Sequence, residues 1–204
     1  MSKRDFVIAD LVPPAPYLLL TSGVVPRPIA WVSTRSAAGV DNLAPHSFFS
    51  VASVTPPVVM FTSVGAKDTL RNVRETGEFV VNLSTEPLTD QINQTSGPYP
   101  PDRSEFDEAG LSREPSSMVG PPRVAESPVA FECRVRQILE VGNCHVIMGD
   151  VLCVAVDPRV LDAAGPHIDF AAAAPMAKLG RDEWGHPGRV SSRPRPTAAD
   201  IAGS

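Results

Sequence analysis

The chain has no excess of positive charge, no long apolar run and very little cysteine. Among 204 residues, 18 Lys and Arg stand against 23 Asp and Glu, a formal net charge of −5, so there is no basic surplus to hold a polyphosphate backbone. Nucleic acid is therefore not expected as a partner. No apolar stretch approaches the roughly 18–20 residues that a bilayer span needs, and no membrane association is expected. The opening Met1-Ser2-Lys3-Arg4-Asp5 carries two cations, but Asp5 and Asp10 interrupt the only apolar stretch nearby. A secretory leader is not expected, and a cytoplasmic location is. Three cysteines, Cys133, Cys144 and Cys153, are odd in number, lack metal-ligand spacing and sit in apolar segments, where they read as small hydrophobes. Also missing are a carboxylate pair for glycoside hydrolysis, a histidine cluster for a metal, a Gly-x-Ser-x-Gly elbow and the Gly-x-Gly-x-x-Gly fingerprint of a Rossmann domain.

Proline, by contrast, is plentiful. Its 22 copies cluster at 12–16, 26–28, 98–101, 115–128 and 187–196, punctuating the chain and excluding long helices. Between these breaks lie strand-like runs: a short piece at Phe6-Val7-Ile8, then 29–34, a second strand from Val40 after a turn at Gly39, 57–62, 78–83, and a pair at 129–141 and 144–156 joined by Gly142-Asn143. Pro45 lacks the N–H for a ladder bond, which predicts a bulge or break near Ala44–His46. Helical patterns are short, at 67–76, 87–93 and 105–111. Asp68 reads as the N-cap of the first and Gly77 as its C-terminal stop. Residues 1–25 read as a lead-in packed on the outside, and the polar stretch 94–128 as a lid, binding loop or dimer arm. The whole suggests one mainly β domain over 1–186, an antiparallel barrel with short peripheral helices, and an expected disordered tail over 187–204.

Candidate sites follow from strand ends and one helix start. A helix N-terminus beside Lys67, Asp68, Thr69 and Asn72 offers cations and donors suited to a phosphate; a plain capped surface helix is the alternative. The interrupted strand Asn42, Ala44, Pro45, His46, Ser47 offers donors and an apolar wall to a flavin ring, against an irregular edge strand. Arg27, fixed between two prolines, is either a phosphate partner or a solvated charge. Ser33, Thr34 and Ser63 are strand-end hydroxyls that could donate to a ribityl chain or serve ordinary turns. His145 shares a strand face with Ile147, Gly149 and Val151, as a flavin or nicotinamide contact or as a satisfied interior histidine.

Taken together, Arg27-Pro28-Ile29-Ala30-Trp31-Val32-Ser33-Thr34, Asn42-Leu43-Ala44-Pro45, Ser47-Phe48-Phe49, Pro56-Pro57, Lys67-Asp68-Thr69, Asn72 and Thr76 to Asn82 resemble the flavin reductase-like, FMN-binding split-barrel family in its flavoredoxin-like branch. The resemblance covers about residues 20–185. It implies a six-stranded Greek-key split barrel, a homodimer, bound FMN, and NADH or NADPH as the electron source, with a monooxygenase or another acceptor downstream. An FMN electron carrier reduced by a protein partner is the alternative it leaves open. By position it places Ser33, Thr34, Lys67 and Thr69 at the phosphate and ribityl chain, Asn42, Ala44, Pro45, His46 and Ser47 at the ring, and His145 at the reactive face as the catalytic candidate. His46 stands where an aromatic or another residue is common in the family. Met176-Ala177-Lys178-Leu179-Gly180 is similar to the family's C-terminal Arg-Leu-Gly piece, but Lys178 cannot reproduce a bidentate guanidinium contact.

Overall fold

The computed structural model describes residues 2–198 and 200. The chain opens with helix α1 (Ala15–Gly23), followed by strands β1 (Arg27–Pro28), β2 (Ala30–Arg35), β3 (Asp41–His46), β4 (Phe49–Val54) and β5 (Pro57–Val64). Helix α2 (Asp68–Thr76) leads into β6 (Glu78–Leu83), and the long middle segment carries α3 (Thr89–Gln94), α4 (Glu105–Glu108), β7 (Arg113–Glu114) and β8 (Arg123–Val124). The hairpin strands β9 (Val129–Val141) and β10 (Cys144–Val156) come next, then α5 (Phe170–Ala173), β11 (Ala177–Lys178) and β12 (Trp184–Gly185). Residues 187–197 form no helix or strand, and 199 and 201–204 of the expected tail lie outside the described residues.

The main sheet is antiparallel throughout, in the order β3-β2-β6-β9-β10-β5-β4. This is the mainly β antiparallel barrel that the strand pattern suggests and the split barrel that the family resemblance implies, with seven strands in place of six; the seventh is β4, which the sequence reading did not separate from the block before it. The β9–β10 hairpin matches its expected bounds, with Gly142 at positive φ in the turn. One local expectation fails: Phe6-Val7-Ile8 forms no strand and ends in a short 3-10 turn, Ile8–Asp10. Pro45 sits inside β3 opposite Trp31 without a bulge, β3 being an edge strand, and the expected break comes one residue later, where β3 ends at His46 before β4 starts at Phe49.

The barrel core joins Ala30, Val32, Phe61, Phe79, Val81, Cys133 and Ile147. Gly149 is where Phe79 lies: an added Cβ would come 2.3 Å from the ring's Cζ. The close approach that this glycine permits is therefore by a core side chain, not by a ligand. A second cluster, Ile29, Trp31, Leu43, Ile92, Phe106 and Val124, packs the middle segment against the back of β2 and β3.

Charge also holds that segment down. Glu132 alternates with Phe131 and Cys133 as the strand period requires, yet it is fully buried because residues 114–124 cover it. Its carboxylate accepts from the backbone N–H groups of Ser117 and Met118 and pairs with the Arg123 guanidinium. Burial opposes the charge, but these donors outweigh it and hold the carboxyl below its usual range. At the chain's start, α1 exposes Tyr17, Leu18, Leu19 and Leu20 and buries only Thr21, so the lead-in packs less closely than its apolar composition predicts.

Candidate functional site

A cleft of about 1080 Å³ opens where β3, the end of β5, the start of α2 and the middle segment meet. One wall is the strand-end run Asn42, Ala44, Pro45, His46, Ser47 and Phe48; the floor continues through Thr62, Val64, Ala66, Lys67, Asp68 and Thr69. The opposite wall comes from Thr95 to Tyr99 and Glu105, with Tyr17 of α1 at the rim. Both tyrosines of the chain thus line this cavity.

The start of α2 supplies the cationic end. Lys67 is the N-cap, in extended backbone, and no side chain caps the first turn. The expectation that Asp68 caps the helix fails: Asp68 is its first residue, and its carboxylate pairs with Arg71, one turn on. The first-turn amides are therefore left for another acceptor. Lys67 has no ion-pair partner among the described residues.

Beneath this end runs a buried polar network. Asn42 Nδ2 donates to Glu105 Oε1 at 2.8 Å, and the Leu43 N–H donates to Glu105 Oε2 at 2.9 Å. Asn42 Oδ1 accepts from the hydroxyls of Thr69 at 3.1 Å and Thr34 at 3.3 Å, and Thr34 accepts from Asn72 Nδ2 at 3.0 Å. Burial lifts the Glu105 carboxyl above its usual range, and Asp68 nearby adds to the rise. His46 lies 3.3 Å from the Thr62 carbonyl and 3.4 Å from the Thr69 hydroxyl, its ring 4.8 Å from that of Phe61. Burial, aided by Lys67, brings its pKa down to about 4 despite the Thr62 carbonyl, so the imidazole is neutral at pH 7.

Of the residues singled out from the sequence, Asn42, Ala44, Pro45, His46, Ser47, Lys67, Asp68 and Thr69 line the cleft. Seven others do not. Thr34 and Asn72 lie in the network behind the wall. Ser33 is buried on β2 and donates to the Pro122 carbonyl instead of reaching the cleft. Ser63 donates to the Gly65 carbonyl at 3.2 Å, and it alternates with Thr62 and Val64, which do line the cleft. His145 is its cross-strand partner, so the pair shares the face of Phe61 and Ile147. The His145 Nε2 is 3.6 Å from Glu140, and its Nδ1 is buried without a partner.

Arg27, expected as a reachable cation, is only 7% exposed and donates to the carbonyls of Thr21, Val24 and Leu179. Its strand neighbour Lys178 stacks 4.9 Å over the Trp184 ring, and burial lowers its pKa. Glu105, in turn, escaped the sequence reading; its signal was a helix start inside the polar segment, with nothing nearby to show that its carboxylate turns inward.

The fold is an antiparallel split barrel with an anion-suited helix start beside its cleft. The family model described as flavin reductase like domain matches residues 22–172, and the chain belongs to that family. An uncharacterized protein of Aquifex aeolicus is 38% identical over 181 residues, 86% of this chain and 92% of its own. Component B of nitrilotriacetate monooxygenase from Bacillus cereus shares the structure at a TM-score of 0.90 and 28% identity, over 95% of this chain and 100% of that one. The 2-nitrobenzoate 2-nitroreductase of Pseudomonas fluorescens does so at 0.88 and 25% identity, over 96% and 98%.

Proposed function

We propose that the protein is an FMN-binding, NAD(P)H-dependent flavin oxidoreductase whose electrons go to a partner enzyme, such as a monooxygenase, or to free flavin. The observation that carries this reading is the cleft's polarity. Uncapped helix amides and Lys67, which has no ion-pair partner among the described residues, stand beside a β3 edge that carries a neutral His46 and the apolar Ala44 and Pro45. That donor set fits a ligand with an anionic tail and a flat, largely uncharged head.

The residues divide the work by position. Lys67 and the first-turn amides of α2 would hold the phosphate, with charge-assisted donors. Asn42 to Ser47 would face the ring, where Pro45 and Ala44 give apolar surface. His46 adds no positive charge at neutral pH and keeps its nitrogens for Thr62 and Thr69. Tyr17 and Tyr99 at the rim would limit water and offer stacking surface. FMN, once bound, supplies the hydride-accepting chemistry. A homodimer is part of the proposal: the exposed Leu20, Val51 and Val54 give such an assembly apolar surface to cover, and a second copy would complete the site from outside.

The test mixes purified protein with FMN and either NADH or NADPH and follows the loss of nicotinamide absorbance. Consumption well above the free-flavin background is expected. None above it would overturn the reductase, and tight FMN binding with that result would instead mark an electron carrier.

A further inference from the structure

Glu105 stands apart from the other carboxylates of the cleft. It is 5% exposed, it pairs with no cation among the described residues, and the charge beside it, Asp68, has the same sign. A buried carboxylate without a cation is costly unless its oxygens are used. Both are: one accepts from Asn42 Nδ2, the other from the Leu43 N–H.

The first of these bonds decides the orientation of the Asn42 amide. With its NH2 drawn to Glu105, its carbonyl oxygen is turned to Thr69 and Thr34. Thr69 is the second residue of α2, and Asn72, which donates to Thr34, lies almost a turn later. The chain of bonds therefore runs from the middle segment, through β3, into the first turn of the helix whose amides face the cleft.

We infer that Glu105 is a positioning residue for the phosphate end of the flavin site, acting through Asn42 and Thr69 on the start of α2; the inference rests on the proposed flavin function. A glutamine in its place has one acceptor oxygen and one NH2. It must set that NH2 against either Asn42 Nδ2 or the Leu43 N–H, so one donor loses its partner or Asn42 turns over and releases Thr69. The shape is kept while the wiring is broken.

The decisive comparison is FMN against riboflavin, which differ by the phosphate alone. Wild type, Glu105→Gln, Thr69→Val and the double variant are titrated with each flavin by fluorescence, with thermal unfolding recorded beside them. For Glu105→Gln, the FMN dissociation constant is expected to rise about tenfold while that for riboflavin stays within about twofold. Thr69→Val should do the same, and the double variant should be no worse than the poorer single, because both cut one chain of bonds. Equal weakening toward both flavins, or none toward FMN, overturns the inference and leaves the flavin reading standing. A wild type that binds neither flavin overturns both. Should Glu105→Gln fail to fold, Glu105→Asp, which keeps the carboxylate but shortens its reach to Asn42 Nδ2 and the Leu43 N–H, decides the matter by the same ratio.

Discussion

The two walls of the cleft are built on different principles. The wall of β3 and α2 uses residues close in sequence, 42–48 and 66–69, set by one edge strand and one helix start. The wall of 95–105 has little regular structure of its own and is held from behind, by the Trp31 bond to Thr95, by the second apolar cluster and by Arg113, which donates to Ser104 and pairs with Asp41, while the Arg123–Glu132 pair anchors the rest of the middle segment. Local geometry makes the first wall; long-range polar anchors make the second. The first should therefore tolerate most changes elsewhere in the chain, Glu105 with its bonds to Asn42 and Leu43 being the exception, and the second should fail when a distant anchor is cut.

The strongest challenge to that contrast is Arg123→Met. It leaves Glu132 buried with only its two amide donors, and a loss of roughly 3–5 kcal/mol in denaturant unfolding is expected. A loss near zero would mean that the middle segment does not depend on its anchor. Next comes pH on the first wall. The unfolded chain protonates His46 as pH falls through about 6.5, while the folded chain resists until about 4. Folding stability should thus fall as pH drops across that window and level off below it, by about 3 kcal/mol in all. Unfolding curves of wild type and His46→Gln from pH 7 to 4 check it, since the variant should lack this part of the slope. The seam between the walls is tested by Thr95→Val, which leaves the buried Trp31 Nε1–H without an acceptor at a cost of about 1–3 kcal/mol. Lys67→Ala should change stability least, by no more than about 0.5 kcal/mol, while weakening FMN binding measurably.

The contrast also explains what could be read from the sequence. The 129–141 and 144–156 hairpin follows from period-two alternation around a Gly-Asn turn, and α2 follows from its apolar spacing and Gly77. These signals are local, so they survive folding unchanged. Asn42 to Ser47 and Lys67 to Thr69 were legible for the same reason. Glu132 was not, since strand alternation gives the face a side chain takes but not what later covers that face. Arg27 and Glu105 failed likewise: flanking prolines and a helix start say nothing of the carbonyls and amides that a distant segment brings to them. Ser63 and His145 share one error, since a strand end holds two faces and only Thr62 and Val64 took the cleft side.

Arg27 has a wider consequence. One side chain grips the carbonyls of Thr21 and Val24 with one nitrogen and that of Leu179, 152 residues further on, with another. In polymer terms the guanidinium fastens a near-circular chain, and most of the barrel is the ring it closes. Closing so large a ring costs conformational entropy that grows only as the logarithm of its length, so a few hydrogen bonds suffice as the clasp. A cut between Gly185 and the tail leaves the clasp shut, whereas one just before Ala177 removes its far half, leaving Arg27 and the end of α1 bound to each other but no longer to the C-terminal part of the chain.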